Sequence, residues 1–134
     1  MFKNEKFEIK MIEDGIFRLI FIENAEIELE DAKEMGTIIR QIANGQKFAV
    51  LVDGTNVFSV SPEAKVLIAS KEYTKDRIAA AFIINSLGNR IAGNFFIKFN
   101  KPATPTQLFN DEKSALEWLK GVIKKDKSAS LAVL

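Results

Sequence analysis

Phe48-Ala49-Val50-Leu51-Val52-Asp53 is an apolar run that stops at a carboxylate; Gly54-Thr55-Asn56-Val57-Phe58-Ser59-Val60 follows, and Ser61-Pro62-Glu63 opens a helix. A short run with no polar interruption reads as a strand buried on both faces, as parallel strands covered by helices are. Ser61 suits the N-cap, Pro62 the first helical position, and Glu63 the positive end of the helix dipole. Strand, loop and helix in that order point to an open α/β sheet, in which ligands and partners bind beside the carboxyl ends of strands.

On the N-terminal side, Phe7-Glu8-Ile9-Lys10-Met11-Ile12 alternates like a half-exposed strand. Asp14-Gly15 then turns the chain into a second strand from Ile16 to Ile22, giving a β-hairpin. From Leu29 to Ala43 the period is helical, with Ala32, Met35, Ile39 and Ile42 on one stripe and Glu30, Lys33, Glu34 and Arg40 away from it. Asn44-Gly45 supplies a left-handed end.

On the C-terminal side, the helix from Ser61 is expected to reach Tyr73, with Lys71, Lys75 and Arg77 crowding its end. Ile78 to Asn85 is a second buried strand, and Ser86 caps a helix in which Leu87, Ile91, Phe95 and Phe99 fall four residues apart. Lys101 to Pro105 breaks that helix, and Thr106 to Phe109 reads as an edge strand. Asn110-Asp111-Glu112 opens a last helix that turns Ala115, Leu116, Leu119, Val122 and Ile123 inward. Lys124 to Ser128 looks like its solvated end, before a small apolar tail from Leu131 to Leu134. The expectation is one α/β domain over residues 1–126 and a tail over 127–134. Its sheet is mixed, begins with an antiparallel hairpin, and is flanked by about four helices.

Composition narrows the function classes. A chain of 134 residues, 47% hydrophobic and 28% charged, builds a core without disulfides or metals and is not disordered. Nineteen basic against eighteen acidic residues offer no general attraction for nucleic acid. The chain has no histidine and no cysteine, so the common proton shuttle, thiol nucleophile and transition-metal ligands are missing. No enzymatic activity, cofactor or metal is expected. No stretch approaches the roughly 20 apolar residues of a membrane span. Met1 to Lys6 alternates charge without an apolar segment, so no signal peptide is expected and the location expected is cytoplasmic.

Val50-Leu51-Val52-Asp53, its loop, and the helix after Ser61 resemble the central strand–loop–helix of STAS domains of the anti-sigma-factor-antagonist type. Leu108-Phe109-Asn110-Asp111-Glu112-Lys113-Ser114-Ala115-Leu116-Glu117-Trp118-Leu119 resembles the ending of SpoIIAA-like, STAS/SEC14-type bacterial proteins, in which a phenylalanine, an acidic cap and an Ala-x-x-Trp-Leu helix recur. The resemblance implies a mixed sheet flanked by helices and action by binding a protein or a small ligand. Phosphorylatable members resemble Asp-Ser-Ser-Gly where this chain has Val60-Ser61-Pro62-Glu63-Ala64. The acceptor position then falls at or beside Glu63, and no phosphoserine switch is expected.

The partner-binding surface expected from these readings comprises Asp53, Thr55, Asn56, Phe58, Ser59, Ser61 and Glu63. Each polar member also has a local explanation: Asp53 as the acceptor of an Asx turn, Ser61 and Glu63 as helix capping. Phe58 is an aromatic in a loop, either an anchor for a partner or a plug for its own core. Gly88-Asn89-Arg90 at a helix start is a weak anion signal. For Leu87, Ile91, Phe95, Phe96 and Phe99 core packing is the first explanation, and homodimerisation through this helix or the tail the second. The alternative reading is a carrier or sensor of an apolar small molecule, with Phe82, Phe95, Phe99 and Trp118 lining its pocket.

Overall fold

The computed structural model describes residues 1–133, so Leu134 of the expected apolar tail lies outside the described residues. Phe2–Lys3 (β1), Phe7–Glu13 (β2) and Ile16–Phe21 (β3) form the antiparallel part of the sheet. Asp14 and Gly15 make a two-residue turn between the paired Glu13 and Ile16, with Gly15 at φ 78°, where a side chain is disfavoured. Ala25–Ile27 (β4) leads into Leu29–Ala43 (α1), which ends on Asn44 and Gly45 at positive φ. Next come Phe48–Asp53 (β5), Val57–Val60 (β6), Pro62–Ala69 (α2), Arg77–Ile83 (β7) and Leu87–Phe95 (α3). A wider π-helical turn, Phe96–Asn100, extends α3 before Thr106–Phe109 (β8) and Glu112–Val133 (α4).

The main sheet has the order β1-β2-β3-β5-β7-β8, with β3, β5, β7 and β8 parallel. This is the mixed sheet with an N-terminal hairpin and flanking helices that the sequence implied. Crossovers of one hand, stepping the same way across a sheet, put their helices on one face. Accordingly α1 and α2 pack on one face, over Phe17, Leu19, Phe48, Val50 and Val52. From the helix after β7, Phe96 reaches Phe82 on that same face (ring centroids 6.2 Å apart). The opposite face belongs to α4. There Ala49, Leu51, Ala79, Ala81 and Ile83 meet Ala115 and Leu119, and the alanines allow the helix to approach closely.

Four local expectations are corrected. The segment expected as a continuous loop between Asp53 and Ser61 contains β6, which pairs in parallel with β4 as a second, two-stranded sheet. Helix α2 stops at Ala69, not near Tyr73. The Ser70 hydroxyl donates to the Leu67 carbonyl at 2.7 Å and accepts the Tyr73 N–H at 3.2 Å, replacing a further helical turn. Helix α4 continues through the charged Lys124–Ser128 segment to Val133. Finally, Leu87, Ile91, Phe95 and Phe99 are not core: they are 74%, 60%, 54% and 59% exposed, and α3 has no buried residue.

Candidate functional site

At the carboxyl end of β5 the local readings hold at atomic level. Asp53 Oδ1 accepts the Thr55 N–H at 3.0 Å, an Asx turn, and Ser61 Oγ accepts the Ala64 N–H at 3.1 Å as N-cap of α2. Asn56 ties the loop to the antiparallel half of the sheet: its side-chain amide donates to the Phe21 carbonyl at 3.1 Å, and its own carbonyl accepts the Ala25 N–H. Ser59 sits opposite Glu26 in the small sheet. Thr55, Ser59 and Glu63 are exposed, and Phe58 stands 72% exposed, so it does not plug the core.

Below this rim, between the sheet and the helices after β3, β5 and β7, lies a cavity of about 390 Å³. Its long wall is Val50 and Val52 of β5 with Phe82 of β7; Phe58, Gly54 and Asn89 stand at the rim, and Ala92, Gly93 and Phe96 close it on the α3 side. A Cβ on Gly93 would fall 2.9 Å from Leu108 Cδ2, so glycine lets α3 sit against β8. Of the four aromatics expected to line a pocket, only Phe82 does so. Phe95 and Phe99 stack on each other at 4.2 Å on the outer side of α3, and Trp118 packs on Phe109 under α4.

The end of the cavity away from Phe58 carries Arg40, from the last turn of α1, and Arg77, from the start of β7; Lys65 lines the cavity from the first turn of α2, and no aspartate or glutamate lines it. Arg40 Nη2 donates to the Tyr73 carbonyl at 3.1 Å, and its guanidinium lies 5.3 Å from the Tyr73 ring centroid. Tyr73 lies across α1, where its hydroxyl donates to the Ala32 carbonyl at 2.7 Å. The bare Cα of Gly36 admits it, since a Cβ there would come within 2.7 Å of the ring. Arg77 Nε donates to the Thr104 hydroxyl at 3.3 Å. Among the described residues neither arginine forms an ion pair. Burial pushes the Tyr73 phenol up to about 12, against the pull of both arginines. Burial likewise holds Arg77 down, to about 10.

Arg77 faces the cavity because of a single irregularity. It pairs with Phe48, but the next pair is Ala49 with Ala79, so β7 carries one extra residue at this point. Strict alternation back from Phe82 and Ala80 would place Ile78 on the cavity side and Arg77 under α4. The bulge reverses that and turns the guanidinium inward. The sequence reading assigned Arg77 to a helix end and Arg40 to a solvated face. Tyr73, Lys65 and the two arginines carried no motif; the available signal was an arginine immediately ahead of an apolar strand.

No group of three or more acidic, histidine or cysteine side chains that could hold a metal occurs among the described residues, and no described helix is long and apolar enough to cross a membrane. The architecture is that of a SpoIIAA-like α/β protein. It is similar to an uncharacterised protein of the DUF3478 family from Shewanella loihica with a SpoIIAA-like fold, with a TM-score of 0.62 and 20% identity over 89% of this chain and 98% of that one. It is also similar to the anti-sigma factor antagonist SpoIIAA in its unphosphorylated form, with a TM-score of 0.58 and 12% identity over 86% of this chain and 98% of that one. At these identities the likeness speaks for the fold, and it bears out the resemblance read from residues 50–53 and 108–119. The chain belongs to the family described as Domain of unknown function (DUF7793), whose model matches residues 10–123. No curated protein matches it.

Proposed function

We propose that this chain is a non-enzymatic, cytoplasmic binding domain of the STAS type. It acts by contact with another protein at the rim around Phe58 and α3, without a phosphoserine switch. The observation that carries this reading is the exposed apolar stripe of Leu87, Ile91, Phe95 and Phe99 beside an exposed Phe58. Apolar side chains spaced for one helix face are normally turned to the core; here they face solvent, the pattern of an interaction surface. Asp53, Asn56 and Ser61 hold the loop in shape, while Thr55, Ser59 and Glu63 supply a polar border to the aromatic anchor. A second copy of the chain is the simplest partner, giving a homodimer.

A photo-crosslinking amino acid placed at Phe58 or at Ile91 in the protein's own host tests this reading. Discrete protein adducts at these positions, and none at the exposed Lys10 on the far side of the hairpin, are expected. An adduct of twice the chain mass identifies self-association. Absence of any adduct above the Lys10 control overturns the reading.

The cavity favours a second reading, a carrier or sensor of an apolar small molecule. A volume of about 390 Å³ walled by Val50, Val52 and Phe82 falls within the range of small-molecule sites.

A further inference from the structure

The lining of the cavity is asymmetric in charge as well as polarity. Arg40, Lys65 and Arg77 line it with no carboxylate among them, while the wall from Val50 to Phe82 is apolar. Arg40 and Arg77 are half-buried, and a guanidinium partly withdrawn from water without an anion is costly enough that proteins normally pair it. Arg77 has only a neutral hydroxyl at 3.3 Å, and Arg40 only a carbonyl and a ring face. Tyr73 does not supply the missing charge, because its phenol is protonated at neutral pH. The bulge that turns Arg77 inward would otherwise leave an aliphatic Ile78 at that place.

We propose that the cavity holds a single-chain amphipathic carboxylate, with its anionic head between Arg40 and Arg77 and its tail along Val50, Val52 and Phe82 towards Phe58. The inference rests on the carrier reading and adds the chemistry of the ligand. Register supports the length: Arg77 pairs with Phe48 at one end of β5 and Phe82 with Val52 at the other. Four residues of strand separate the two ends by roughly 13 Å. An apolar wall of that length offers no partners for the hydroxyls of a sugar or nucleotide, and burying them there would be unfavourable. The planar fork of a guanidinium matches the two oxygens of a carboxylate.

The test is titration of the full chain with dodecanoate and with dodecanol, which share a tail and differ in the charge of the head. Dodecanoate is expected to bind at least about tenfold tighter, the margin of one charge-assisted hydrogen bond. Arg77→Met is expected to shrink that preference, mainly by weakening dodecanoate, because Arg40 alone then faces the head. Arg77→Gln, which can keep a polar contact to Thr104, gives the same reading should the methionine variant fold poorly. Equal affinity of the wild-type chain for acid and alcohol overturns the carboxylate inference and leaves the carrier reading standing. Absence of binding by both overturns the two together. Dodecyl phosphate binding tenfold tighter than dodecanoate overturns the assignment of the head group.

Discussion

Under α4 the sheet presents Ala49, Ala79 and Ala81, whereas the opposite face presents Phe48, Val50, Val52 and Phe82, and the two faces are covered accordingly. Small residues let a single long helix lie close, and Ala115 and Leu119 at that contact are fully buried. Large residues hold the other helices off. Of these α3 has no buried residue, and a cavity remains beneath it. The same β5 and β7 strands contribute to both faces, so alternation along two strands separates a tightly packed support from a surface with room in it. Binding sites need such an arrangement: a rigid scaffold on one side and incompletely filled volume on the other.

A matched pair of truncations tests the comparison most strongly. Leu119→Ala under α4 is expected to cost about 4 kcal/mol, because nothing can relax into the space. Leu19→Ala, on the wall of the existing cavity, should cost about 2 kcal/mol less. Equal losses in denaturant unfolding would erase the proposed difference in packing. Overpacking gives the next largest effect. Ala81→Leu should destabilise by about 2–3 kcal/mol, while Ala92→Leu, on the exposed side of the cavity, should fall within about 0.5 kcal/mol of the wild type.

Tyr73 places an alkaline pH dependence on the cavity side. Its phenol titrates near 12 in the folded chain, above its ordinary value of 10, so the unfolded chain releases the proton first. Stability from this group is complete below pH 10 and falls by about 2 kcal/mol as pH rises to 12. Tyr73→Phe should remove that loss and leave the opposing contribution of Arg77, whose lowered value makes the unfolded chain hold its proton longer over the same range. The smallest effect is expected at the rim. Ser61→Ala removes the cap of α2 and should cost about 1 kcal/mol, without changing crosslinking from Phe58. Lost crosslinking at unchanged stability would make Ser61 a contact residue.

Much of the rim was legible in the sequence because its determinants are local. The Asp53 turn and the Ser61 cap depend on neighbours within a few residues, whereas the exposure of Phe58, on a strand paired with distant β4, was left open. The cavity was not legible. Its cations come from α1, from α2 and from the start of β7, and what unites them is a register shift against β5 together with the bare Cα of Gly36. Trp118 and Phe82 were expected to meet in one pocket, yet they lie on opposite faces of the sheet. Apolar character was visible for each, but the face it occupies depends on which helix crosses where.

Alternation, turn chemistry and capping residues thus determined the order of the main strands and helices, the hairpin and the class of fold, though not the short strands β1, β4 and β6, since these main features are set by preferences that act within a helical turn or a strand. Only the tertiary structure decided that α3 turns its apolar stripe to solvent and that Arg77 faces inward. A stripe shows that a helix has an apolar side without showing what lies opposite it. A one-residue bulge reverses the direction of a side chain without leaving a mark in composition or period.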